Sequence, residues 1–490
     1  MKISKTAFLL ALSVAQICAA NPAVTRNDEI ALLRQQIAAQ QAQIEELRKA
    51  LNQQEETLVR LAGGPAAAPS TVAAAATAPV AAEGPKPTLG GFQLSGDFRF
   101  RADVQARSGN DAAAPLQNLR SRYRVRLNVD KELDPRFKFH LQLSTGPYQN
   151  PITNDQDMAG TVAKHPFSIS EAWIHFQPSH NIALRGGRME EAFADNSRFL
   201  WDDDVRFNGF QQTLNFKLPA NAGGFTGLEF RAGEYILSNP GVYILSPNSP
   251  YVAAGYEAGQ KVRASNLFHP GAILRGTLGE QWSHTITGDV QIYRNPNQIQ
   301  LASTAAGFPV LINGALGLQL SGPVGGTGNT TTEPGGAMYS APDFQIARVA
   351  YRLDRKAFAV AGRRVPAYLD FQMSRNVGAS NLRDAFMVTG NLGAVREAGD
   401  MRFLYQFALK DANSMISQFT DDDLGTGSGV NVAVHGLRFD VGLTRFLQFQ
   451  NLLFIQNQRR PSNPAGQMFV PLPRGANATF RYLGQLAFSF

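Results

Sequence analysis

Leu119-Arg-Ser-Arg-Tyr-Arg-Val-Arg-Leu-Asn-Val-Asp130 is the stretch on which the fold turns. Arg120, Arg122, Arg124, Arg126, Asn128 and Asp130 alternate with Leu119, Tyr123, Val125, Leu127 and Val129. A period of two puts these sets on opposite faces of a β-strand. Phe92–Arg107 repeats the pattern, with Phe92, Leu94, Phe98, Phe100, Ala102 and Val104 opposing Asp97, Arg99, Arg101, Asp103 and Gln105. Arg99, Arg101, Arg120, Arg122, Arg124 and Arg126 thus point one way on adjacent strands. Buried without partners, each would cost several kcal/mol. They require water or carboxylates, so the polar face belongs inside a wet lumen and the apolar face outside.

The alternation continues to the last residue. After a turn at Asp134-Pro135, Phe137, Phe139, Leu141 and Leu143 oppose Lys138, His140 and Gln142. Fourteen further segments follow, from Ser170–Phe176 to Ala478–Phe490. The total is seventeen, and the pair spanning Phe358–Ser374 is cut ambiguously. A closed bacterial barrel takes an even number, so the expected fold is an all-β transmembrane barrel of about 16 antiparallel strands, with 18 the alternative. Short turns alternate with long Gly/Pro/Asn-rich connections, as a barrel with two unlike rims requires. Aromatics near segment ends, among them Phe92, Tyr123, Phe137, Phe216, Tyr293, Phe371 and Tyr482, fit interfacial girdles. Tyr482, Gly484, Leu486, Phe488 and Phe490 alternate up to a terminal phenylalanine. Such a strand closes the barrel, and the ending resembles the signature of bacterial outer-membrane barrels.

The N-terminal quarter is different. Lys2, Lys5, an apolar core and Cys18-Ala19-Ala20 read as a signal peptide over residues 1–20, which places the chain in the export pathway. Its removal takes away the chain's single Cys, so no disulfide holds the mature protein. Residues 21–62 carry a heptad with Ile30, Ile37, Ile44, Leu51 and Leu58 at one core position. The narrow seam suits a periplasmic coiled coil of identical chains, for which a homotrimer is expected. Residues 63–90 read as an Ala/Pro-rich linker, and 91–490 as the barrel. The helix, about 48 Å long over its heptads, also fits a tether from outer-membrane lipid to the cell wall.

Composition narrows the function. The 490 residues carry 17% charged side chains, 45 Gly, 32 Phe and a formal net charge of +7. An exported chain whose basic residues follow strand parity is no nucleic-acid binder. The seven histidines are scattered, without a metal-binding pair, phosphate loop or nucleophile elbow, so no cofactor, metal or enzymatic activity is expected. An outer-membrane hydrolase built on inward His140 or His175 is the enzymatic alternative. Asp202-Asp203-Asp204 and Asp421-Asp422-Asp423 lack the spaced ligands of a calcium loop and read better as solvated loop tips or partners for arginine.

Several stretches resemble the bacterial outer-membrane family named Putative porin, whose members carry a coiled coil before a barrel. They are Gly96-Asp-Phe-Arg-Phe-Arg101, Leu119–Leu127, Leu143-Ser-Thr-Gly146, Pro151-Ile-Thr-Asn154, Glu171-Ala-Trp-Ile-His-Phe176, Gly186-Gly-Arg188 and Leu200-Trp-Asp-Asp-Asp-Val-Arg-Phe-Asn-Gly209. The resemblance implies passive diffusion of small hydrophilic solutes, and a looser likeness to phosphate-selective porins raises anion passage. The expected pathway residues are Asp97, Arg99, Arg101, Asp103, Arg120, Arg122, Arg124, Arg126 and Lys138, with Asp202, Asp203 and Asp204 at a constriction or loop. The segment from Asn295 to Asp343 is expected to fold inward or to pack between subunits, because it carries Ile299, Leu311, Ile312 and Leu316.

Overall fold

The computed structural model describes residues 88–89 and 91–490, apart from 148–149, 159–163, 220–222, 239–263, 300–310, 313–314, 317–327, 332–337, 361–362, 422, 425–428 and 460–474. The expected signal, the coiled coil and most of the linker lie outside the described residues. Sixteen long strands run in chain order: β1 Phe92–Arg107, β2 Leu116–Asp134, β3 Phe137–Thr145, β4 Phe167–Ser179, β5 Ile182–Met189, β6 Phe207–Lys217, β7 Phe225–Ser238 and β8 Ser265–Leu278, then β9 Trp282–Arg294, β10 Gln345–Val360, β11 Arg363–Asn376, β12 Asp384–Gly393, β13 Met401–Lys410, β14 Val432–Gly442, β15 Leu447–Gln458 and β16 Thr479–Ser489. Each pairs antiparallel with its sequence neighbours, and β16 pairs with β1 from Asp97↔Ser489 to Ala106↔Phe480. The sheet therefore closes on itself and leaves no edge. Two dipeptides, Thr88–Leu89 and Gln156–Asp157, add short pairings to it. Among the described residues no helix is long and apolar enough to cross a membrane, which says nothing of strands.

The expected sixteen strands are present. Phe358–Arg363, read in the sequence as a separate segment, is the end of β10 and the start of β11; a register shift between Arg355 and Phe358 breaks the parity there. Closure relies on Gly96. Phe490 and Gly96 exchange backbone hydrogen bonds at 3.0 Å, and a Cβ on Gly96 would lie 2.7 Å from the Phe490 ring and 2.3 Å from the Arg126 carbonyl oxygen.

Side-chain parity is inverted relative to a soluble protein. On β1, Phe98 and Phe100 are 43% and 38% exposed while Arg99 and Arg101 are 7% and 4%. On β11, Leu369, Phe371 and Met373 are exposed and Asp370, Gln372 and Ser374 are buried. The same holds for Val349 and Tyr351 against Arg348 on β10, and for Phe480 and Tyr482 against Arg481 on β16. Tyr293 departs from its expected girdle position. It shares the parity of Asp289 and Gln291 and is buried inside, 6.4 Å from the Phe344 ring.

Candidate functional site

The arginine ladder sits where parity puts it, on the inner face of β1 and β2, with Arg99 opposite Arg124 and Arg101 opposite Arg122. Like charges directly across a sheet repel. The relief comes from carboxylates. Asp97 takes Arg126 at 2.6 Å and Arg124 at 2.9 Å, and Asp103 takes Arg120 at 2.5 Å and Arg481 at 2.9 Å. These strand aspartates do not suffice, and the rest arrive on loops. Asp155, from the β3–β4 connection, lies 2.6 Å from Arg99, 2.9 Å from Arg101 and 3.6 Å from Arg122. Burial pushes its carboxyl up, but Arg101, Arg99, Arg122 and Arg124 outweigh that and hold it well below the usual carboxylate range. Asp157 adds a contact of 2.8 Å to Arg122.

A second loop, between β5 and β6, supplies the aspartate run. Asp204 approaches Arg124 at 3.5 Å and Arg126 at 3.9 Å, and accepts from the backbone and side chain of Asn154 at 2.9 Å each. Arg198 of the same loop donates to Asp423 at 2.7 Å and lies 3.1 Å from Asp421, both on the β13–β14 connection. Asp423 also reaches Arg481 at 3.0 Å. Burial would raise the Asp423 carboxyl, but Arg101, Arg481 and Arg198 hold it well below the usual range. Burial lowers the Arg198 guanidinium, yet Asp421, Asp423 and Asp203 raise it well above its ordinary value. Asp202, Asp203 and Asp421 place one carboxylate oxygen each within 4.8 Å of one another, and Arg198 lies beside this group, 3.1 Å from Asp421.

The β5–β6 loop is fastened to the far wall as well. Glu191 accepts from His269 of β8 at 2.8 Å and from Tyr235 of β7 at 3.2 Å. Asp195 accepts from Arg348 of β10 at 3.3 Å. Lys410 of β13 donates to the carbonyl oxygens of Arg198 and Phe199 at 3.0 and 2.6 Å. A segment bonded to inward side chains of β2, β7, β8, β10 and β13 crosses the lumen. Around it lies an apolar cluster that includes Phe199, Trp201, Leu267, Phe344 and Phe419, with the Trp201 and Phe207 rings 5.1 Å apart. Ile299 and Tyr339 of the segment from Asn295 to Asp343 join it, so both described flanks of that segment turn inward, the first of the two placements its apolar content allows.

Arg99, Arg101, Arg122 and Arg124 face inward as parity requires and are buried, each paired with a carboxylate of the wall or of a docked loop. Lys138 stands apart, 40% exposed near the β2–β3 turn and 3.5 Å from Asp130. His140 lies between Asp130 at 2.9 Å and Glu171 at 3.7 Å and stacks on Trp173, so its recorded partners are carboxylates and an indole. Sequence reading passed over Asp155, Arg198, Glu191 and Arg481, and a second charged wall made by Arg352 of β10, Asp370 of β11, Arg402 of β13 and Arg438 with Asp440 of β14. Asp370, Arg438 and Asp440 do follow the inward parity of their strands. The loop residues carry no periodic signal.

Comparison with known proteins agrees with the resemblance read from the sequence. Residues 104–233 match the family described as Putative porin. The porin match runs from the end of β1 into β7 and so takes in Arg120, Arg122, Arg124 and Arg126, Asp155 and the whole β5–β6 loop. No curated protein matches the chain. Among solved structures, the chain is similar to Pseudomonas putida OprB at high pH (12% identity, TM-score 0.45, 82% of this chain and 94% of that one). It is also similar to an anion-selective porin from Comamonas acidovorans (10%, 0.40, 81% and 99%) and to Salmonella typhi OmpF in complex with daunomycin (9%, 0.42, 82% and 98%).

Proposed function

We propose that the chain is an outer-membrane porin through which small hydrophilic solutes or ions diffuse passively. One observation carries this reading: a closed barrel exposes Phe, Leu and Val outward and buries Arg, Asp and Gln inward, the arrangement a lipid-embedded channel needs. Outside lipid, the exposed rings would form an apolar band far larger than soluble monomers tolerate. The matched porin family supports the same function.

In this reading the ladder's first task is structural. It docks the β3–β4, β5–β6 and β13–β14 loops, which narrow the lumen, and its charge is largely spent on Asp97, Asp103, Asp155, Asp204 and Asp423. Anion preference therefore does not follow from counting arginines. Planar-bilayer recording of the full chain tests the proposal: discrete conductance steps support it, and their absence from correctly folded protein overturns it. A salt-gradient reversal potential in the same experiment reads selectivity, and a value near zero is expected. The N-terminal heptads support a further role as a trimeric clamp or cell-wall tether, which removal of residues 21–87 separates: lost trimers mark a clamp, and lost cell-wall association marks a tether.

A further inference from the structure

The inner wall of β10–β15 is lined differently from the ladder. One register row reads Arg352, Asp370, Thr389, Gln406, Gly436 and Phe454 across successive strands. The row towards the short turns includes Tyr368 and Arg438. With the tip of the β5–β6 loop, where Asn196 and Arg198 hold positive φ, these residues enclose a pocket in the lumen.

Its charges are unevenly matched. Arg352 faces Asp370 across the strands, yet it turns to Asp354 at 2.9 Å and stacks on the Tyr368 ring at 3.8 Å. Asp370, 7% exposed, accepts from Gln372 Nε2 at 2.9 Å and has no ion pair among the described residues. The same nitrogen donates to Asp195 at 3.0 Å, which holds two carboxylates side by side. Among the described residues, the guanidinium on Asp195 is that of Arg348 at 3.3 Å, whose shorter bond of 2.7 Å goes to Asp289. At the other end, Arg402 and Arg438 share the single carboxylate of Asp440. One end of the pocket thus carries surplus negative charge and the other surplus positive. Between them Thr389 Oγ1 and Gln406 Nε2 are buried without a hydrogen-bond partner among the described residues. Gly436 keeps the floor open, because a Cβ there would lie 2.6 Å from Gln406 Cγ.

A buried unmatched carboxylate, buried orphan polar groups and an opposing guanidinium pair together describe a receptor for a dipole. We infer that this wall is a binding subsite for small zwitterionic solutes. The solute's ammonium goes to Asp370 and Asp195, its carboxylate to Arg438, which shares Asp440 with Arg402, and its middle lies over Thr389, Gln406 and Tyr368. This names the substrate class of the proposed channel and rests on that reading for its role in transport, though not for binding itself.

The probe is the dipeptide glycylglycine, whose central amide can bond Thr389 and Gln406, compared with N-acetylglycine, glycinamide and N-acetylglycinamide on the full chain in detergent and in bilayers. Calorimetric binding and reversible current block by glycylglycine alone are expected. Asp370→Asn should weaken both by at least about tenfold, the scale of a lost charged hydrogen bond. Thr389→Val removes a hydroxyl that has no hydrogen-bond partner among the described residues, so the barrel should still fold, as judged by heat-modifiable electrophoretic mobility, while affinity drops several-fold. Equal responses to all four compounds, or wild-type affinity in both variants, would overturn the subsite. Binding without current overturns the channel and leaves the subsite standing; current without binding does the reverse.

Discussion

Asp155 lies 2.9 Å from Arg101, and neither side chain is more than 4% exposed. A loop carboxylate thus completes a charge pattern laid down on a strand far away in sequence. Removing one partner of such a buried pair typically costs about 3–5 kcal/mol, because the other charge is left uncompensated. Asp155→Asn, which strands Arg99, Arg101 and Arg122 together, should destabilise the barrel by that order. It should also release the β3–β4 loop, with larger single-channel conductance and faster proteolysis of the loop. Wild-type conductance in a folded variant would show that Asp155 does not dock the loop.

The docking should be insensitive to mild acid. Burial would raise the carboxyls of Asp155 and Asp423, but Arg101 and the neighbouring arginines hold both below their unfolded value of about 3.9. For a depressed carboxyl the stabilisation is complete above the unfolded pKa and fades as pH falls through the folded one. Protease resistance of the β3–β4 and β13–β14 loops should therefore stay constant from about pH 8 to pH 5 and change only below about pH 4. A transition centred near pH 6 would mean that other groups hold the loops.

Closure at the C-terminus depends on the close approach of Gly96 to Phe490. Gly96→Val puts side-chain atoms into the Phe490 ring and the Arg126 carbonyl. The yield of heat-modifiable folded barrel should fall sharply, and Phe490→Ala should partly restore it by making room for the new side chain. No rescue would locate the fault in the Arg126 carbonyl contact alone.

The outer face predicts its own penalties. Leu369, 54% exposed near the middle of β11, faces lipid, and Leu369→Arg should cost about 2–4 kcal/mol in unfolding from bilayers. Val349→Arg on β10 should behave similarly. An effect below about 0.5 kcal/mol at both positions would place that face in water.

Strand positions are legible in the sequence because a period of two survives through most of the strands, and the inner and outer faces of Asp97–Arg107 follow it residue by residue. Elsewhere parity is overridden or broken. Tyr293 was placed by its aromatic character near a segment end, although Asp289 and Gln291 fix it inside. The shift after Arg355 hid the continuity of β10. The pairing of the ladder with Asp155 and Asp423 could not be read, because loop carboxylates carry no period and their partners are set by how loops fold back through the closed barrel. Composition leaves Asp202–Asp204 open between a solvated loop tip and a partner for arginine, and nothing in it says that the same loop also reaches His269 and Arg348 on the far wall.

The account's central claim is the inversion of faces. It is tested most directly by single cysteines carrying nitroxide labels, introduced into Cys18→Ser protein reconstituted in bilayers, at Phe100, Val349, Leu369 and Phe403 and at the alternate positions Thr389 and Gln406. The account predicts that labels at the first four relax faster with lipid-dissolved oxygen and those at the other two with a water-soluble nickel complex. Uniform nickel accessibility, or the reverse parity, would contradict it.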